Sequence, residues 1–250
     1  MSGTGVDFHR IYERHAVEYD VMVAAEDCDG RLLPALEGIT PLAGAAVLEV
    51  GAGTGRVTRL LLDAGARVVA SEPALAMLAV ARRHTAHLPA ARCALLGADV
   101  LALPVRAGWA DVAIAGWALG HLRSWHAGAW QETIARALAE MDRALRPGGT
   151  LIVIETLGTG VERPAPPTAE LAEYYAWLEG TQGMQRASCR TDYRFPGVEA
   201  AARATGFFFG AEFAARVLRE RWSRIPECTG LWWRRSGPRR GHGPSNDPAR

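Results

Sequence analysis

The sequence predicts an α/β fold in which a doubly wound, mostly parallel sheet carries helices on both faces. Short, continuously apolar runs alternate with segments of helical periodicity, the pattern of a parallel sheet covered on both sides. A first strand, Val47 to Val50, runs straight into a turn with glycine at alternate positions (Gly51, Gly53, Gly55) and then into a helix. Acids stand at the ends of three successive strands, as Glu49, Glu72 and Asp99.

Each element follows from its own residues. Residues 1 to 40 read as a helical cap preceding the first strand, because Tyr12, His15, Ala16, Tyr19 and Met22-Val23 recur at helical spacing, followed by Leu32, Leu33 and Leu36. Val57 to Ala64 continues the glycine turn as a helix that Gly65 stops, and Ala66 to Glu72 is the second strand, ending in that acid. Pro73 favours a break there, and Ala74 to Thr85 is the next helix. A third strand opens at Cys93 and ends in Asp99, and Asp111 to Ala115 is the fourth. A long helix spans Ala127 to Leu145 and ends at Pro147-Gly148-Gly149, before a fifth strand over Thr150 to Glu155. Beyond a Gly/Pro-rich loop at 158–167 come an aromatic-rich helix (Thr168 to Glu179), a strand over Arg186 to Phe195, two helices within Val198 to Trp222, and a last strand from Thr229 to Arg235. The expected division is therefore a cap (1–40), a core (41–157), an insert with a closing hairpin (158–235) and a disordered tail (236–250).

The glycine turn leaves the backbone bare over Gly51, Ala52, Gly53 and Gly55, so a ligand can lie directly on it. A carboxylate at Glu49 repels a pyrophosphate and attracts an ammonium. The ligand that suits both features is a nucleoside bearing an amino acid and no phosphate, S-adenosyl-L-methionine. Glu72 stands 21 positions after Gly51, where nucleotide-binding α/β units place the acid that takes the ribose hydroxyls. Asp99 is placed to accept from an exocyclic amine.

Five segments occur in the order and spacing of the class I S-adenosylmethionine-dependent methyltransferases: V-L-E-V-G-A-G-T-G-R (47–56), A-S-E-P-A-L-A-M-L (70–78), G-A-D-V (97–100), A-D-V-A-I-A-G-W-A-L-G-H-L (110–122) and L-R-P-G-G-T-L-I-V-I-E (145–155). The chain resembles that family over residues 40–157. The resemblance implies a Rossmann-like sheet of seven strands in the order 3-2-1-4-5-7-6. It also implies Glu49 near the methionine amino group, Glu72 on the ribose hydroxyls, Met77 against the adenine ring and Asp99 at the adenine amine. Arg56, Pro73, Val100, Gly116 and Trp117 complete the expected cofactor surface, and Tyr12 and Tyr19 are the tyrosines of the cap that would close over it.

In this fold the acceptor sits beyond the fourth strand, at Gly116-Trp117-Ala118-Leu119-Gly120-His121. The loop lacks the Asn/Asp-Pro-Pro-Tyr/Phe pattern of nucleic-acid amino methylases, and no acid-rich metal site is signalled. His121 is the candidate base, because an ordinary imidazole titrates near 6.5. Tyr174, Tyr175, Trp177, Trp125 and Trp130 are candidates for an aromatic wall around a small aromatic or apolar acceptor, built by the cap and the insert. The expected function is metal-independent methyl transfer to a small molecule, of the kind found in secondary metabolism. The alternative is another reaction of the same cofactor, a different alkyl transfer or a cyclisation. A nicotinamide dehydrogenase is disfavoured, since Arg56 stands where G-x-G-x-x-G needs glycine.

The net charge of +1 gives no field for nucleic acid or membrane. All 28 basic residues are arginine, a compositional bias rather than a binding device. Cys28, Cys93, Cys189 and Cys228 lack zinc-type spacing and read as reduced thiols of a cytoplasmic protein, monomeric or homodimeric. Residues 1 to 20 carry acids and bases throughout and do not read as a signal peptide.

Overall fold

A computed structural model describes residues 8–237. Most of the tail expected at 236–250, and the first seven residues of the N-terminal stretch, lie outside them. In chain order the elements are α1 (Phe8–Arg14), α2 (Ala16–Val23), α3 (Leu32–Glu37), β1 (Ala46–Val50), α4 (Arg56–Asp63), β2 (Arg67–Ser71), α5 (Leu75–Thr85), β3 (Cys93–Leu96), a 3-10 turn (Val100–Ala102), β4 (Ala110–Gly116), α6 (Leu119–Trp125), α7 (Trp130–Ala144), β5 (Leu145–Thr159), α8 (Ala169–Gly180), β6 (Gln185–Arg190), β7 (Tyr193–Arg194), α9 (Val198–Phe209), α10 (Ala211–Arg219), β8 (Arg224–Ile225) and β9 (Glu227–Arg235).

Seven strands form one sheet in the order β3-β2-β1-β4-β5-β9-β6. The first five are parallel, and β9 runs antiparallel to both β5 and β6. This is the predicted Rossmann-like order, with β9 as the seventh strand. All five residues of β1 are buried, as a strand covered on both faces requires. One face packs Ile134, Leu138 and Met141 of α7 with Tyr174, Tyr175 and Trp232, and the other packs Leu36, Leu61 and Leu62 of α3 and α4. A third cluster joins the cap to the insert, where Met22 and Val23 meet Tyr193, Phe195, Ala201 and Val217.

The helical cap comprises three short helices, and three local expectations need correction. The loop expected around Leu119 to His121 is the helix α6. The fifth strand begins at Leu145, with a register shift against β4 that accommodates the Pro-Gly-Gly segment. The single strand expected over Arg186 to Phe195 breaks at Thr191-Asp192, where the backbone carbonyls accept the Asp27 and Cys28 N–H groups and the Asp192 carboxylate gathers donors from neighbouring strands. It accepts from Arg190 Nε, Arg224 Nε and the Glu227 N–H at 2.8, 2.8 and 3.1 Å. The chain beyond the break forms the separate two-stranded sheet β7–β8.

Candidate active site

The carboxyl ends of β1, β2 and β4 open into one cavity of about 620 Å³, roofed by α1 and α2. Gly51, Gly53 and Gly55 have φ of +69°, +55° and +86°, in the left-handed region that favours glycine. A Cβ at Gly51 would sit 2.4 Å from the Ala118 Cβ, whereas one at Gly53 would make ordinary contacts with Met77 and Tyr19 at 3.8 and 3.9 Å. The turn is therefore a cradle that side chains would fill. Gly55 alone of the expected cofactor residues is not in the cavity lining, and it packs closely on α5, where a Cβ would meet Ala81 at 3.2 Å.

The other expected cofactor residues and the candidate base line the cavity: Tyr12, Tyr19, Glu49, Gly51, Ala52, Gly53, Arg56, Glu72, Pro73, Met77, Asp99, Val100, Gly116, Trp117 and His121. The two Glu72 oxygens accept the N–H groups of Gly53 and Ala74 at 2.9 and 2.8 Å, tying the glycine turn to the start of α5. Carboxylate oxygens have further lone pairs, so the same group can still accept ligand hydroxyls. Glu49 is buried and accepts the Thr58 hydroxyl at 2.6 Å; burial pushes its carboxyl up to about 8, with the neighbouring Glu72 charge adding to the rise. Asp99 accepts the Leu101 N–H at 2.8 Å and so caps the 3-10 turn.

Arg56 is committed to the protein. Its guanidinium lies 3.1 Å from Glu26 and 4.1 Å over the Trp117 ring. Trp117 has φ +50°, a strained conformation for a bulky residue, and its N–H donates to the Ile154 carbonyl at 2.7 Å. Sequence reasoning missed Thr54, whose hydroxyl is buried on the cavity wall with no hydrogen-bond partner among the described residues. An orphaned donor beside a bare backbone fits a ligand that brings an acceptor. With four acids in its lining (Glu13, Glu49, Glu72 and Asp99) and its one arginine already paired, the cavity favours a ligand carrying positive charge over a diphosphate.

A second lobe, built by α1 and α6, holds His9, Tyr12, His121, Leu122 and Trp125. The Tyr12 hydroxyl and His121 Nε2 are 2.8 Å apart. Trp125 is stacked between His9 and His121 at centroid distances of 4.2 and 5.2 Å. Burial, with His9 adding to it, pushes His121 down to about 4, so its ring is neutral at physiological pH rather than poised near neutrality as an unperturbed imidazole would be. Of the expected aromatic wall only Trp125 faces the cavity. Trp130, Tyr174 and Tyr175 are core residues, Trp177 packs against Trp130, and no residue of the insert lines the cavity among those described. Among the described residues, no three His, Cys, Asp or Glu side chains converge to hold a metal ion, and no helix is long and apolar enough to cross a membrane.

Fold and site together define a nucleoside-binding α/β enzyme, and comparison with known proteins narrows the class. The family described as a methyltransferase domain matches residues 48–153. An uncharacterized methyltransferase of Geobacillus kaustophilus is 30% identical over 157 residues, covering 61% of this chain and 68% of that protein. A malonyl-[acyl-carrier protein] O-methyltransferase of Pectobacterium atrosepticum is 31% identical over 176 residues, 70% of this chain but 60% of that protein. The solved phosphoethanolamine N-methyltransferase 2 of Haemonchus contortus, in complex with phosphomonomethylethanolamine and S-adenosylhomocysteine, shares the fold with a TM-score of 0.60 at 14% identity, over 93% of this chain and 59% of that one. The chain belongs to the class I S-adenosylmethionine-dependent methyltransferases, and S-adenosylmethionine is its cofactor.

Proposed function

We propose that this chain transfers the cofactor's methyl group to a small molecule with an aromatic or apolar body, without a metal ion, by in-line attack on the methyl carbon. One observation carries the reading: a single cavity joins the glycine cradle and its acids to a second lobe of aromatic faces around the Tyr12–His121 pair. In this reading Glu49 meets the amino group, Glu72 the ribose hydroxyls, Met77 the adenine face, and Asp99 with Val100 the adenine edge. The bound sulfonium supplies an already activated methyl group. What the protein adds is alignment of the acceptor and exclusion of water, which α1 and α2 provide by roofing the cavity. The His121 ring is unprotonated at neutral pH but weakly basic. Alone or through the Tyr12 hydroxyl, it takes the proton from an acceptor oxygen as methylation makes that oxygen cationic and strongly acidic, and passes it to solvent.

Incubation with S-adenosylmethionine and a panel of aromatic and aliphatic alcohols and amines, read by mass spectrometry, tests this. A product heavier by one methylene supports it. A rearranged product of unchanged mass would mark the alternative chemistry, and modification of macromolecules alone would overturn the small-molecule assignment. With a working acceptor, His121→Ala should lower kcat by about 10²-fold with the affinity for S-adenosylhomocysteine nearly unchanged; an undiminished rate retires the base. Glu72→Ala should weaken S-adenosylhomocysteine binding at least about tenfold, equivalent to about 1.4 kcal/mol. Unchanged affinity by titration calorimetry would count against the ribose assignment.

A further inference from the structure

The helix that presents His121 and Trp125 does not cap itself. The N-cap residue of α6 is Ala118, which has no side-chain acceptor for the first-turn N–H groups. The missing acceptor comes from β5: Glu155 Oε1 takes the Gly120 N–H at 2.8 Å across 35 residues of sequence. Its neighbour Ile154 takes the Trp117 N–H through its carbonyl, so two consecutive residues of β5 grip the start of α6. The fit is close, since a Cβ at position 120 would stand 2.9 Å from Glu155 Oε2. Glu155 is 4% exposed and does not line the cavity, so a direct role in binding cofactor or acceptor is not open to it. The hydroxyl of Tyr174, itself fully buried, lies beside the same carboxyl.

We propose that Glu155 is a positioning residue: it caps α6 from β5 and thereby sets the placement of the His121 ring against Tyr12, the arrangement on which the reading of the acceptor lobe rests. Burial pushes the Glu155 carboxyl up to about 8, so it is mainly protonated at neutral pH and glutamine is its close substitute. A glutamine oxygen can accept the Gly120 N–H as the acid does. Leucine keeps the volume and removes the acceptor, and an alanine at position 120 pushes the acceptor away without changing any charge.

The experiment compares Glu155→Gln, Glu155→Leu and Gly120→Ala by nitrogen-15 NMR of the histidine side chains and by calorimetric titration with S-adenosylhomocysteine. In Glu155→Gln the His121 ring should keep the wild-type resonances and stay neutral to low pH. In Glu155→Leu and Gly120→Ala the ring should lose its Tyr12 bond, and its titration midpoint should rise by at least about one unit towards the ordinary imidazole value near 6.5. S-adenosylhomocysteine affinity should stay within threefold throughout, which separates displacement of α6 from collapse of the cofactor cradle. A His121 ring indistinguishable from wild type in Gly120→Ala overturns the proposal, as does the same result in Glu155→Leu. If Glu155→Leu fails to fold, Gly120→Ala decides on the same two readouts. These spectra need no acceptor, so they stand apart from the proposed function: an active His121→Ala enzyme would remove the base and leave the grip of Glu155 on α6 intact.

Discussion

Replacing Arg56 by alanine should destabilise the protein by about 3–5 kcal/mol, the usual cost of leaving a buried charge without its partner. Arg56 is the counter-charge of Glu26, whose side chain is only 4% exposed, at 3.1 Å. Behind that pair lies Glu227, also buried, with Oε2 making no hydrogen bond among the described residues, so two carboxyls crowd one guanidinium. Glu26 is already raised from the usual carboxylate range, by burial first, with Arg56 opposing the rise. Without Arg56 it rises further. A carboxyl raised in the folded state destabilises increasingly as pH climbs from its unfolded value towards its folded one. The loss should therefore be larger at pH 8 than at pH 5.5. Urea unfolding at both pH values measures it, and a midpoint shift equivalent to less than about 0.5 kcal/mol, within the range of an ordinary surface substitution, would show that the pair is not what holds the cap to the cleft. Arg56→Lys should rescue poorly, since an ammonium cannot reproduce the planar stack 4.1 Å over Trp117. Adding Glu26→Gln to Arg56→Ala should recover much of the loss, because the orphaned charge is then gone.

The parts of this molecule legible in its sequence are those in which local chemistry and tertiary role coincide. Apolar β1, the glycine turn and the acids that follow the strands each have a local reason that survives folding, so the residues brought to the cavity follow from reading the chain, whereas the sheet order is what the family resemblance implies. Gly55 illustrates the limit. It shares the turn's positive φ with Gly51 and Gly53, but whether a glycine serves a ligand or a neighbouring helix depends on what packs against it, here Ala81. The tyrosines of α8 mislead for the same reason: Tyr175 stacks on Trp232 at 4.5 Å in the core, and periodicity does not say which aromatic face meets solvent. The helix α6 escapes notice because its capping acceptor, Glu155, lies 35 residues away. Asp192, where a strand breaks, has partners on β6, β8 and β9, which no window of sequence contains. Thr54 carries a sequence signal of its own, a hydroxyl between two glycines at the end of an apolar strand.

S-adenosylhomocysteine affinity should increase with pH up to about 8 and then level off, with the slope set by Glu49. In the ligand-free protein this carboxyl is raised to about 8, by burial first and the Glu72 charge second, so at pH 7 it is mostly protonated. If Glu49 meets the ligand's ammonium as proposed, binding favours the ionised form and releases a proton. Each pH unit below the raised value is then worth up to about tenfold in affinity, or ~1.4 kcal/mol. Calorimetry at pH 7 in two buffers of different ionisation enthalpy should report close to one proton released per site. Glu49→Gln should abolish both the release and the slope while still accepting the Thr58 hydroxyl. Stability of the ligand-free protein should move the opposite way. A carboxyl raised from 4.5 to about 8 in the folded state favours folding most below its unfolded value, and that advantage is lost as pH rises through the window, with Glu155 and Glu227 acting in the same direction. The thermal shift produced by saturating ligand should therefore widen from pH 6 to pH 8 even as the unliganded midpoint falls. Proton-neutral binding with a pH-independent affinity would place the amino group away from Glu49.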